Sequence, residues 1–349
     1  MLRSKSTIAV PPGATIREQL ENRGISQKEF AIRMGMTEKH ISNLINGKVE
    51  LTPNVALRLE TVLGLPASFW NNLEAIYQEK IARVNAELSV EQDEEIAKQF
   101  PYSTMAKWKW VSVTRKVEER VINLRKFFEV AELGLLENLK MPGIAYRKCN
   151  SSQKSDYALA AWAQEARLEA RKIQVEPINI ARLEKEIPTI RSMTVKDPTE
   201  FCNELRHTLS GCGVAIIFLP HISGSFLHGA SFLDDGHIVL GLTVREKYAD
   251  SFWFSLFHEL CHIIKGHIYS PEPTTPEQEA EANAFARDTL ISPKAYQSFI
   301  AQGRFDEGTI AAFANAVGID AGIVLGRLQK DNIVPYSYFN HLKKKYKIV

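Results

Sequence analysis

The sequence predicts an α+β chain that is mostly helical: an all-α N-terminal domain, a helical middle region and a C-terminal domain with a small sheet. Three observations lead there. Residues 25–48 read as helix, tight turn and helix. From residue 113 to about 209 the pattern is helical rather than alternating. Two short apolar runs, 214–219 and 237–242, then precede a strongly apolar helical stretch from Ser251 to Ile264. At 349 residues the chain exceeds one typical core, so several domains are expected: 1–84, a connector at 85–112, a helical middle region at 113–212 and a final domain at 213–349.

In the first domain, Ser26 and Thr37 suit helix N-caps, and Gly35 permits the turn between the helices. Phe30, Ala31, Ile41 and Leu44 supply the apolar contacts that set the interhelical angle. With those side chains inward, Thr37, Glu38, Lys39, His40, Ser42 and Asn43 are left to face outward on the second helix. That set can contact phosphates and base edges, and Gln27 at the start of the first helix can reach the backbone of double-stranded DNA. A plain helical hairpin used for packing is the other reading of this spacing. The unit continues through Thr52 to Leu59 and Gly64 to Trp70 into a long helix past Tyr77.

Glu87 to Lys98 is polar and acidic, and Phe100-Pro101-Tyr102 breaks it, which places the connector. Loops are expected in the middle region at Met141-Pro142-Gly143 and from Lys148 to Lys154. The runs Val214 to Leu219 and His237 to Leu242 are bounded by Gly, Pro and Asp, as buried strands tend to be.

The stretch that follows contains His258-Glu259-Leu260-Cys261-His262. Residues four apart on a helix share a face, so His258 and His262 can offer imidazole nitrogens to one metal ion, with Zn2+ the expected ion. Glu259, beside the first ligand, is placed to act on a water as catalytic base. A catalytic zinc site needs a third protein ligand, which can be a carboxylate. The helical segment 276–286 offers Glu279, with Asn283 one turn on to hold a ligating imidazole by its second nitrogen. Glu277 and Glu281 are its rivals, and whichever of the three faces the metal excludes the others.

His267 falls five residues after His262, out of step with the longer three-histidine zinc motif, and is expected near a helix end. Cys261 points off the ligand face and reads as a small buried apolar residue. Any one of His221, His228 and His237 could stabilise an oxyanion. Farther on, Thr309 to Leu328 has a helix-turn-helix look and is read as packing. The basic end, Lys343 to Lys347, is read as a solvated tail.

A net charge of +2 decides nothing about DNA, because binding would rest on a local face. The four cysteines lack metal-ligand spacing and suit a reducing cytosol. With no basic-then-apolar leader and no apolar run of membrane-spanning length, a cytoplasmic protein without membrane partners is expected.

Two resemblances extend this reading. From Pro11-Pro12-Gly13 through Trp70, including Thr52-Pro53 and Ala56 to Leu59, the chain resembles the Xre-type helix-turn-helix of HigA antitoxins. From Val214 through Pro293 it resembles the ImmA/IrrE family of metallo-endopeptidases, on Phe252 to His262, Glu279 to Ala286 and Leu290-Ile291-Ser292-Pro293. It departs from that family at Cys261, where Gly is frequent, and at Ser255, where Thr is frequent. The second resemblance implies a zincin-like, gluzincin-type domain with His258, His262 and Glu279 as zinc ligands and Glu259 as general base. It further implies cleavage of a helix-turn-helix repressor in a stress, phage or toxin-antitoxin response. Together they lead us to expect a DNA-binding regulator fused to a zinc endopeptidase, dimeric on its operator, that cuts its own kind or a related repressor. The connector at 85–112 is one place for such a cut. The alternative is a repressor or antitoxin whose peptidase fold senses a signal without proteolysis.

Overall fold

The computed structural model describes residues 2–4, 6–137, 153–222, 228–243, 248–270 and 274–346. The loop expected at Met141-Pro142-Gly143, most of the one at 148–154, and Lys347 lie outside them. The chain divides into two compact units, Met1–Glu95 and Ile96–Val349.

The first unit opens with a two-stranded antiparallel pair, β1 (Leu2–Arg3) and β2 (Ile8–Ala9). Helices α1 (Gly13–Arg23), α2 (Gln27–Met34), α3 (Glu38–Ile45), α4 (Pro53–Leu63) and α5 (Ala67–Ala97) follow. Their starts are written in the sequence. Ser26, Thr37 and Thr52 each accept a hydrogen bond from a backbone N–H three residues on, satisfying a donor that the first helical turn leaves free. Gly35 ends α2 at φ 61°, a left-handed conformation that costs glycine little. The core gathers Ile16, Leu20, Phe30, Met34, Ile41, Leu44, Leu59 and Trp70. Arg58 Nη1 donates to the Met34 carbonyl at 2.9 Å and ties α4 to the turn between α2 and α3.

Helix α5 runs without a break through much of the segment read as a connector, and α6 (Tyr102–Lys107) forms within the remainder. Asp93, Ala97 and Phe100 are buried there. Glu, Gln, Lys and Ala are good helix formers, so this polar segment is largely helical, and the boundary between the two units falls within it.

The second unit continues with α7 (Val117–Phe128), α8 (Gln153–Ala170), α9 (Ile180–Ser192) and α10 (Pro198–Ser210). A three-stranded sheet follows: β3 (Val214–Leu219), β4 (Gly229–Asp234) and β5 (His237–Thr243), in the order β3-β5-β4. Strand β3 pairs parallel to β5, whereas β4 and β5 form an antiparallel hairpin over Asp235-Gly236, both at positive φ. Alternation sorts the side chains: Val214, Ile216, Ile238, Leu240 and Leu242 enter one core, and Ala215, Ile217, Leu219, Phe232 and Val239 pack with Trp162 and Ala166 of α8 in another. Gly241 is required where it stands, because the Trp162 ring occupies the space a Cβ would take.

On the first of these faces lies α11 (Ala249–Ile264), with Phe252, Trp253, Leu256, Phe257, Leu260 and Ile263 buried. A helix apolar nearly all round belongs in a core. Helix α12 (Pro276–Leu290) packs against it and begins in a capping box, Thr275 with Gln278. The chain closes with α13 (Pro293–Ile300), α14 (Glu307–Val317) and α15 (Ala321–Lys330). Helix α15 is buried along Ile323, Val324, Leu325 and Leu328, so the C-terminal helix pair packs rather than presenting a helix to a groove. No single helix among the described residues is long and apolar enough to cross a membrane.

The basic end differs from the solvated tail expected. Lys343 pairs with Asp250 at 2.7 Å, Lys344 with Asp320 at 2.9 Å, and Trp253 Nε1 donates to the buried Tyr346 hydroxyl at 3.0 Å. Acidic and aromatic partners from distant elements hold what composition alone would leave in water.

Candidate metal centre and nucleic-acid interface

Helix α11 carries a polar stripe at Ser251, Ser255, His258 and His262, set three and four residues apart and therefore on one face. Helix α12 carries Glu279, Asn283 and Arg287 at the same interval. The two stripes line a cleft of about 860 Å³, which the first residues of β4 also border. In it, His258 Nε2 lies 3.1 Å from His262 Nε2, 3.5 Å from Glu279 Oε2, and His262 Nε2 lies 3.6 Å from Glu279 Oε1. Among the described residues these three form the group whose ligand atoms converge closely enough to share an ion.

The donor set fits zinc. Ligands about 2.0–2.1 Å from a tetrahedral ion stand about 3.4 Å from one another. The three separations bracket that value, and two imidazoles with a carboxylate are a recurrent catalytic set. Each histidine also has a partner for its other nitrogen. His258 Nδ1 lies 3.0 Å from Asn283 Oδ1, and His262 Nδ1 lies 2.9 Å from His267 Nδ1. With Nδ1–H donated to Asn283, the His258 lone pair at Nε2 is free to point into the site. Thr274 Oγ1 donates to Glu279 Oε1 at 2.6 Å and orients that carboxylate.

Glu259, buried beside His258, sits about 100° farther round the helix, lines the same cleft and has its side chain against β4. Ser231 Oγ donates to its Oε2 at 2.8 Å, and the backbone of Gly229 lies against its Cγ with no room for a side chain. Ser231 and Thr274 were not found in the sequence. A strand Ser and a Thr before a helix carry no signal of their own, although Asp235-Gly236 after 229–234 marks a hairpin that would have revealed β4.

The rivals lie elsewhere. Glu277 is exposed in the first turn of α12, where its own backbone N–H and Thr275 hold its carboxyl below the usual range. Glu281 pairs with Lys265 at 2.9 Å and faces His267 at 3.5 Å. The Cys261 thiol is buried, and desolvation pushes it up to about 11. Of His221, His228 and His237, His228 lines the cleft. His237 has its Nε2 enclosed without a hydrogen-bond partner.

In the first unit, Ile41, Leu44 and Ile45 of α3 are buried, while Gln27, Thr37, Glu38 and Lys39 are exposed and His40, Ser42 and Asn43 half-buried. Two of these are less available to DNA than their positions imply. Thr37 spends its hydroxyl oxygen accepting from the His40 N–H, and His40 Nε2 is enclosed. Glu38, Lys39, Ser42 and Asn43 remain as the outward polar set of α3.

Comparison with known proteins concerns this first unit. Residues 16–70 match the helix-turn-helix family. The uncharacterized HTH-type transcriptional regulator YddM of Escherichia coli K12 is 38% identical over 63 residues, 18% of this chain and 67% of that protein. Antitoxin HigA-1 of Vibrio cholerae serotype O1 is 46% identical over 57 residues, 16% of this chain and 53% of the antitoxin, so the match spans about half of that relative. A solved addiction module antidote protein of the HigA family from Coxiella burnetii is 26% identical, covering 24% of this chain and 94% of its own, with a TM-score of 0.22.

Proposed function

The chain belongs, through residues 16–70, to the helix-turn-helix family of transcriptional regulators, and from that we propose a DNA-binding regulator joined to a zinc-dependent endopeptidase. The first unit binds an operator through α2 and α3, as a dimer, in the manner of antitoxin-like repressors. The reading of the second unit rests on one observation: two histidine nitrogens and a carboxylate converge beside a buried glutamate that is not one of them.

Zinc bound by His258, His262 and Glu279 would supply Lewis acidity to a peptide carbonyl and lower the pKa of the attacking water. Glu259 takes a proton from that water as its oxygen bonds to the carbonyl carbon, and returns it to the amine as the C–N bond breaks. Ser231 holds the Glu259 carboxylate for both transfers. Strand β4 pairs with β5 on one side and lies at the end of the sheet order, so its other edge can align an extended peptide by main-chain hydrogen bonds. The substrate we propose is a helix-turn-helix repressor, a partner or a second copy of this chain.

The test compares the full-length parent with Glu259→Gln, each loaded with zinc and incubated with DNA-bound helix-turn-helix proteins and with itself. Both chains holding about one zinc, with fragments from the parent alone, supports the reading. Equal zinc and no fragments from either under any inducing condition would sink proteolysis and leave a regulator with a sensor domain.

A further inference from the structure

The histidine just past α11 is the feature that the proposed chemistry does not use. Helix α11 ends at Ile264 with Lys265 as its C-cap, and Gly266 at φ 72° turns the chain back into a short 3-10 helix, His267–Tyr269. A left-handed turn at this position suits glycine and folds residue 267 under the last turn of α11. The His267 side chain is consequently 9% exposed, with Nδ1 2.9 Å from His262 Nδ1 and Nε2 3.5 Å from Glu281 Oε2. Glu281 is in turn held by Lys265 at 2.9 Å.

Proton bookkeeping gives this chain a direction. For His262 Nε2 to offer a lone pair to an ion, the neutral ring must carry its proton on Nδ1. That proton points at His267 Nδ1, which can accept it only if the His267 proton sits on Nε2. An Nε2–H then faces the Glu281 carboxylate, whose charge Lys265 balances. Each member thus fits the tautomer that metal ligation demands of His262, and none of them lies in the ligand trio.

We infer that His267 is a positioning residue for the metal site, accepting the Nδ1–H of His262 and passing the orientation on to Glu281. It does for His262 what Asn283 does for His258, from the other end of the helix pair. The inference rests on the zinc reading above. An imidazole so held has its ring plane and basicity set before the ion arrives, and loss of such a partner weakens metal binding by about 10- to 100-fold.

The experiment measures zinc affinity of the full-length chain by competition with a chromophoric chelator, for the parent, His262→Ala, His267→Leu and His267→Asn. Asn places an amide oxygen where the accepting Nδ1 stood, whereas Leu fills the space without an acceptor. The inference expects about 10- to 100-fold weaker binding in His267→Leu and affinity near the parent in His267→Asn. Parental affinity in His267→Leu, or equal weakness in both variants, would overturn it, the second outcome marking a packing role. Weak binding by the parent that His262→Ala leaves unchanged would instead remove the zinc reading itself.

Discussion

Ser231 Oγ lies 2.8 Å from Glu259 Oε2 and donates to it, tying the edge strand of the sheet to the helix that bears both histidines. A hydrogen bond to a buried carboxylate keeps it oriented without touching the ligand trio. Ser231→Ala is expected to retain about one zinc per chain while the rate of peptide hydrolysis falls about tenfold, in line with the loss of a charge-assisted bond. Elemental analysis beside a fluorogenic peptide assay checks both halves, and a variant that loses its metal would contradict the assignment.

Arg191 holds together elements far apart in sequence. Its Nε and Nη2 donate to the carbonyls of Thr289, Leu290 and Val317 at 2.8–3.1 Å, closing the C-terminal ends of α12 and α14. Lysine keeps the charge and loses the fork. We expect Arg191→Lys to cost about 2 kcal/mol in urea unfolding. A shift within measurement error would mean that water replaces these bonds at no cost.

Glu165, buried in α8, carries a pKa raised to about 7, first by desolvation and then by Glu169, with Lys172 opposing. Because its folded value lies above the unfolded one, the contribution is fully present below about pH 4.5 and is lost as pH rises through about 7. Glu165→Gln should therefore flatten the fall in stability between those values and leave the variant more stable than the parent at pH 8, by an amount on the order of 1 kcal/mol or more. Thermal melts across the range decide it, and parallel curves would show that the group titrates normally.

The first unit separates stability from recognition. Thr37→Ala removes the N-cap of α3 and should cost about 1 kcal/mol. Lys39→Ala should leave folding intact, weaken binding to DNA selected by the parent from a random library, and reduce the salt slope by about 1. If Lys39→Ala leaves both affinity and slope unchanged, α3 does not approach the phosphates through this residue.

The parts legible in the chain are those whose signals are local. Ser26, Gly35 and Thr37 announce two helices and the turn between them because a cap or a left-handed residue acts within one turn of itself. His258 and His262 come together because the helical period places them there, and Glu279 and Asn283 share a face of α12 for the same reason. Folding was needed for the rest. That 229–234 is an edge strand with Ser231 aimed at Glu259, that Gly266 returns His267 beneath His262, and that Lys343 and Lys344 are pinned by Asp250 and Asp320 all depend on partners 5 to 93 residues away. A helix repeats its own geometry, so composition and spacing report its faces. Contacts between elements follow from which apolar surfaces close on each other, and no residue states that alone.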